Sequence, residues 1–290
     1  MPENAWEALG TLSPRELVLA RLLLHHAAQL AAAVGRSLVP ARPDDGHTSL
    51  EWTSSPRGLA SQEVAGARPW RALLGLGEPA PALVVLAGGA EVDRLPLEGR
   101  TRREAFEWLD ERARALGAPV SRLNLSAPYA LPAHPFGASA PFTSPGGVAV
   151  AELTCWFADG DAVLRAVAAG WPGSTPVRVW PHHFDVGSVL PLGTETTEYA
   201  PSVGIGLSPG DEGIAEPYFY VTPWPPPPPA DELPALPSGG RWHREGWTGA
   251  VLTGSDVVAK GDGAAQAAAV KSFLAGALQV LRARHDARLP

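Results

Sequence analysis

The sequence predicts an α+β fold, mainly antiparallel sheet packed by about four helices. Four segments combine apolar residues at helical spacing with recognisable end signals. Six further segments drop to a period of two, as half-buried strands do. Turn-rich connections join several of these, and short connections favour antiparallel neighbours.

The first helix is expected over 14–35. Ser13-Pro14-Arg15-Glu16 reads as a capping box with proline at the first helical position, and Gly35 follows the apolar run as a natural stop. Strands are expected at 47–54 and 82–86. A second capping box, Thr101-Arg102-Arg103-Glu104, opens a helix over 102–116 whose stripe is Phe106, Leu109, Ala113 and Leu116. A strand at 121–126 follows. The stretch 131–147, rich in proline, glycine and serine, is the one serious candidate boundary. A third helix is expected near 149–169, with Asp159-Gly160 as a point where it could break.

Strands are then expected at 177–190, 202–207 and 216–222. Ser208-Pro209-Gly210-Asp211 between the last two has proline and glycine where a type II turn needs them. The run 225–229 is all proline and reads as a stiff polyproline II surface segment, without the flanking arginines of an SH3 ligand. The last helix, over 264–284, carries Val270, Phe273, Leu274, Ala277, Leu278 and Leu281 on one face, with Asp262 as N-cap. One domain over 10–286 is the expectation. A Trp-Thr pair at 52–53 and again at 247–248 hints at an internal duplication.

Composition narrows the function classes. The 290 residues are 45% apolar with a net charge of −7, which disfavours holding phosphate backbones, so no nucleic-acid partner is expected. No uninterrupted apolar run approaches the ~18 residues of a membrane helix, and no signal peptide is visible, so a cytoplasmic protein without a membrane partner is expected. A single cysteine, Cys155, excludes internal disulfides and multi-cysteine zinc sites; beside Trp156 and Phe157 it reads as an inert thiol. A homodimer is the default oligomer.

The richest local signal is Trp180-Pro181-His182-His183-Phe184-Asp185. In an extended strand His183 and Asp185 point the same way with Cβ atoms about 7 Å apart, a separation from which imidazole and carboxylate can converge on zinc or iron. If the strands pair as neighbours, Glu216, Tyr218 and Tyr220 join that face, while Gly204 and Gly206 leave room for a ligand or another backbone. The expected site is therefore a divalent metal on His183, Asp185 and Glu216, with His182 in reserve and Tyr218 or Tyr220 as hydrogen-bonding catalytic partners. A solvated sheet face and a metal-free polar pocket are the competing readings. On the first helix, Arg21, His25 and Gln29 form a polar stripe facing solvent or a polar cavity, and His25 or His26 could supply a further ligand.

These residues support a metal-dependent enzyme acting on a small molecule, with hydrolysis as the reaction to expect because a bound metal acidifies water. The alternatives are a non-catalytic small-molecule-binding protein with a tyrosine-lined pocket and, through His243, a ferrous oxygenase. No Gly-x-Ser-x-Gly elbow is present, and Gly88-Gly89 lacks the lysine of a phosphate loop. The segment order resembles an uncharacterised bacterial family of unknown function. The helix bearing His25-His26-Ala27-Ala28-Gln29, the Trp180–Asp185 motif, Ser208-Pro209-Gly210-Asp211-Glu212 and Glu216-Pro217-Tyr218-Phe219-Tyr220 carry the likeness. It implies a single compact unit and no activity, cofactor or substrate.

Overall fold

In a computed structural model, which describes residues 6–77, 80–118, 123–193, 200–228 and 232–287, the fold is α+β and its strands pair antiparallel. Eleven strands and five α-helices occur among the described residues. They group into two compact units. One comprises Leu17–Thr154 and Arg178–Phe184; the other comprises Met1–Glu16, Cys155–Val177 and Asp185–Pro290. The boundary thus falls inside a helix, where the sequence reading places one unit with a weak boundary at 131–147.

The first unit is built on strands β1 (Leu50–Ser54), β2 (Arg57–Ser61), β3 (Trp70–Gly75), β4 (Ala82–Ala87), β5 (Ala90–Pro96) and β6 (Arg178–Trp180). Their spatial order is β6-β1-β2-β3-β4-β5. Helix α1 (Val18–Leu38) packs on β2 and β3, and helix α2 (Arg102–Ala115) packs on α1 and β4. Leu59, Leu73, Val84 and the α1 residues Leu24, Ala28 and Ala31 are fully buried, which is the term that holds such layers together.

Helix α1 departs from expectation at both ends. Pro14–Leu17 form a 3-10 turn, in which Glu16 reaches back to the Ser13 amide at 3.0 Å. Gly35 does not stop the helix, which continues to Leu38. Glycine is required there because a Cβ would lie 2.2 Å from the carbonyl oxygen of His47. Helix α2 has the full capping box between Thr101 and Glu104. The expected strand at 121–126 is not one: residues 123–126 have no strand structure, and Ser121 and Arg122 lie outside the described residues.

The second unit orders its strands β10-β11-β9-β8-β7. They are β7 (Asp185–Pro191), β8 (Ser202–Ser208), β9 (Tyr218–Trp224), β10 (Arg241–His243) and β11 (Gly249–Thr253). Helix α3 (Gly147–Ala169) enters this unit unbroken, and α4 (Gly254–Val258) is followed by α5 (Gly263–Asp286). Gly160 does not interrupt α3; a Cβ there would meet Leu207 Cδ2 at 2.5 Å. Asp262 caps α5 by accepting from the Ala265 amide at 2.9 Å. The core centres on Phe219, fully buried with the rings of Trp6 and Trp156 each 6.4 Å away, and α5 packs on β8, β9 and β11.

Pro14–Leu38 and Gly263–Asp286 are long and apolar enough to cross a membrane by length and composition. The apolar window of the first is 83% buried within the fold and that of the second 44%. A core helix passes the same test.

Candidate functional site

The expected strand over 177–190 is divided. Residues 181–184 form a turn between β6 and β7, and Phe184 adopts φ 60°, the left-handed region that bulky residues avoid. Pro181 explains the break, since it has no amide to donate to a ladder. Two side chains of α1 then hold the turn: His25 Nε2 donates to the Pro181 carbonyl at 2.9 Å, and Gln29 Nε2 donates to the same oxygen at 2.7 Å. The Phe184 ring is fully buried and stacks on His25, centroids 5.0 Å apart and planes at 6°. His182 and His183 are left exposed, their rings 4.5 Å apart.

The carboxylates of the expected metal site serve separate partners. Asp185 accepts a short hydrogen bond from the Tyr220 hydroxyl. Glu216 lies before β9 rather than in it, and accepts from the Ser255 amide at 2.6 Å and from Arg15 Nε at 3.4 Å. Tyr218 donates to Asp211 at 2.5 Å. Burial pushes both phenols well above the ordinary tyrosine range, and the neighbouring carboxylates push the same way. The extra space at Gly206 is taken by the Tyr220 ring itself. Among the described residues no group of three or more His, Cys, Asp or Glu could hold a metal ion. His243 bonds the Glu245 carbonyl at 2.7 Å, and the half-buried Cys155 donates to Glu7 Oε2 at 3.2 Å.

A different constellation forms inside the first unit, where α1 meets the loop over 123–138 and the start of α2. A cavity open to solvent, of about 470 Å³, is lined by the polar side chains of His26, Gln29, Arg102, Ser126, Tyr129 and His134, with Leu125 and Leu131 among the apolar ones. That volume suits a small organic molecule. The stripe of α1 is therefore internal: Arg21, His25 and Gln29 are all buried, and Gln29 reaches the cavity.

The cavity wall is tied together by hydrogen bonds. The Tyr129 hydroxyl donates to Gln29 Oε1 at 2.9 Å, so the amide that grips Pro181 is also the one that orients Tyr129. His26 is buried, and its Nε2 donates to the Pro132 carbonyl at 3.0 Å. Desolvation pulls the His26 pKa below the ordinary histidine value, against the pull of that carbonyl, so the ring is neutral near pH 7. Its ring lies 6.4 Å from that of His134.

Arg102 supplies the charge. It is half-buried, its Nη2 donates to the Gly137 carbonyl at 2.9 Å, and desolvation lowers its pKa. It has no carboxylate partner among the described residues, and no acidic side chain lines the cavity. Arg36 stands beside the Tyr129 hydroxyl as a second guanidinium. A half-buried cation without a counter-charge has its lost hydration only partly replaced by one neutral carbonyl, so the cavity favours an anion.

Of these residues, sequence reasoning singled out His26 and Gln29 and missed Arg102, Tyr129 and His134. Arg102 drew notice only as part of a capping box, and 131–147 only as a boundary. Neither signal is periodic, so no pattern could have placed them together. The chain matches no family model, no curated protein and no solved structure in the three comparisons.

Proposed function

We propose that the protein binds a small organic anion, a carboxylate with an apolar body, in the cavity between α1 and the loop over 123–138. The observation that carries the proposal is Arg102, a half-buried guanidinium bonded, among the described residues, only to the Gly137 carbonyl. A carboxylate offers that fork a charge-assisted partner stronger than a neutral carbonyl. Leu125 and Leu131 would take the apolar body, and neutral His26 adds no charge of its own.

The binding reading is preferred to a metal-dependent enzyme because Asp185 and Glu216 already serve Tyr220 and the Ser255 amide. Calorimetric titration of the full chain with phenylacetate tests it. Saturable one-to-one binding is expected, weakened at least tenfold in Arg102→Gln. Absence of saturable binding at millimolar phenylacetate, or unchanged binding in the variant, would overturn the reading.

A further inference from the structure

His26 carries a second message about the ligand. The Pro132 carbonyl can only accept, so the proton of the neutral ring resides on Nε2 and Nδ1 is a bare lone pair. Nδ1 is buried, and among the described residues nothing donates to it. A buried acceptor without a donor is costly, which makes such an atom a candidate contact for something the protein does not itself provide.

The residue packed against the Nδ1 edge is also the residue whose carbonyl Arg102 holds. Gly137 packs on the ring edge so closely that a Cβ would lie 2.8 Å from Cε1 and 3.2 Å from Nδ1. The carbonyl of that same Gly137 is the acceptor for Arg102 Nη2. A carboxylate taking the guanidinium competes with this carbonyl.

Resting on the anion-binding reading, we infer that the ligand is a hydroxy acid, its carboxylate on Arg102 and its neighbouring hydroxyl donating to His26 Nδ1. A hydroxyl fits better than an ammonium group. Arg102 lines the cavity and Arg36 stands beside Tyr129, and among the described residues no carboxylate lines the cavity to balance a further cation. The hydroxyl keeps its proton throughout, so no bond is made or broken.

Mandelate and phenylacetate differ by that one hydroxyl and serve as matched probes for the full chain at pH 7.5. Mandelate is expected to bind about tenfold more tightly, the worth of satisfying one buried acceptor. The His26 Nδ1 nitrogen resonance should move upfield with mandelate and stay in place with phenylacetate. In His26→Gln, whose amide can still donate to Pro132, the two acids should bind alike. Equal affinity in the wild type, or a mandelate advantage that survives His26→Gln, would overturn the hydroxy-acid inference and leave anion binding standing. Failure of both acids to bind would overturn both.

Discussion

Tyr220 lies flat across Gly206. The two are directly opposed in the β8–β9 register, and a Cβ on Gly206 would stand 2.2 Å from the Tyr220 Cζ atom. The ring continues over Gly187 on β7, whose Cβ would lie 2.9 Å from the hydroxyl, and there the phenol meets Asp185. Two glycines on adjacent strands thus make a trough that lets one side chain span three strands. In this unit Tyr220 is a cross-strand tie.

Alanine at Gly206 should therefore destabilise the protein by about 2 kcal/mol or more, because the ring must leave its place and its hydrogen bond. Gly204, on the same strand, is the internal control. The nearest atom to a Cβ there is the Thr222 carbonyl oxygen at an ordinary 3.7 Å, so Gly204→Ala should change stability by under about 1 kcal/mol. Urea midpoints of the two variants, measured side by side, decide it; similar losses would refute the trough.

Gly35 makes a second, counter-intuitive prediction. Glycine inside a helix costs about 1 kcal/mol relative to alanine, so propensity alone says that Gly35→Ala should stabilise α1. The His47 carbonyl oxygen 2.2 Å from the new Cβ says the reverse, since a backbone atom cannot swing aside as a side chain can. Net destabilisation of about 1–3 kcal/mol is expected by thermal or urea unfolding. A gain in stability would show that α1 and the 40–47 loop separate freely.

Acid should weaken the first unit through His25. Burial lowers its pKa from 6.5 to about 4, only partly offset by the hydrogen bond to the Pro181 carbonyl. The folded pKa lies below the unfolded one, so as pH falls the unfolded chain takes the proton first. Stability from this group is full above about pH 6.5 and is lost down to about pH 4, by about 3 kcal/mol. His26, shifted in the same direction, adds to the loss. His25→Gln can keep a donor toward Pro181 without a titrating ring. Unfolding free energies from pH 7 to pH 4 should fall less steeply in it than in the wild type, and equal slopes would remove His25 as the cause.

Much of the helical layout was legible because it is written in local rules. The Thr101–Glu104 box, the Asp262 cap and the apolar spacing of α5 each act within a few residues, and the structure has all three. Strands with clear alternation, such as β8 and β9, were legible for the same reason. Strands β2, β3, β5, β10 and β11 were not read as strands. Arg57–Ser61 and Trp70–Gly75 are largely buried, so they lack the polar half of the alternating pattern.

The sites were another matter. By itself the sequence determined that α1 is an apolar helix carrying His25, His26 and Gln29, and that Trp180–Asp185 is chemically dense. It could not determine that Pro181 ends a strand, or that Phe184 turns back at φ 60° to stack on His25. That choice depends on two α1 side chains about 150 residues away competing for one carbonyl. Nor could it bring Arg102 to His26, which lie 76 positions apart and share no pattern. Local hydrogen bonds and periodicity are encoded within a turn or two of chain. Which buried charge finds a partner is settled only when distant segments pack, because desolvation is a property of the packed surroundings and not of neighbours in sequence.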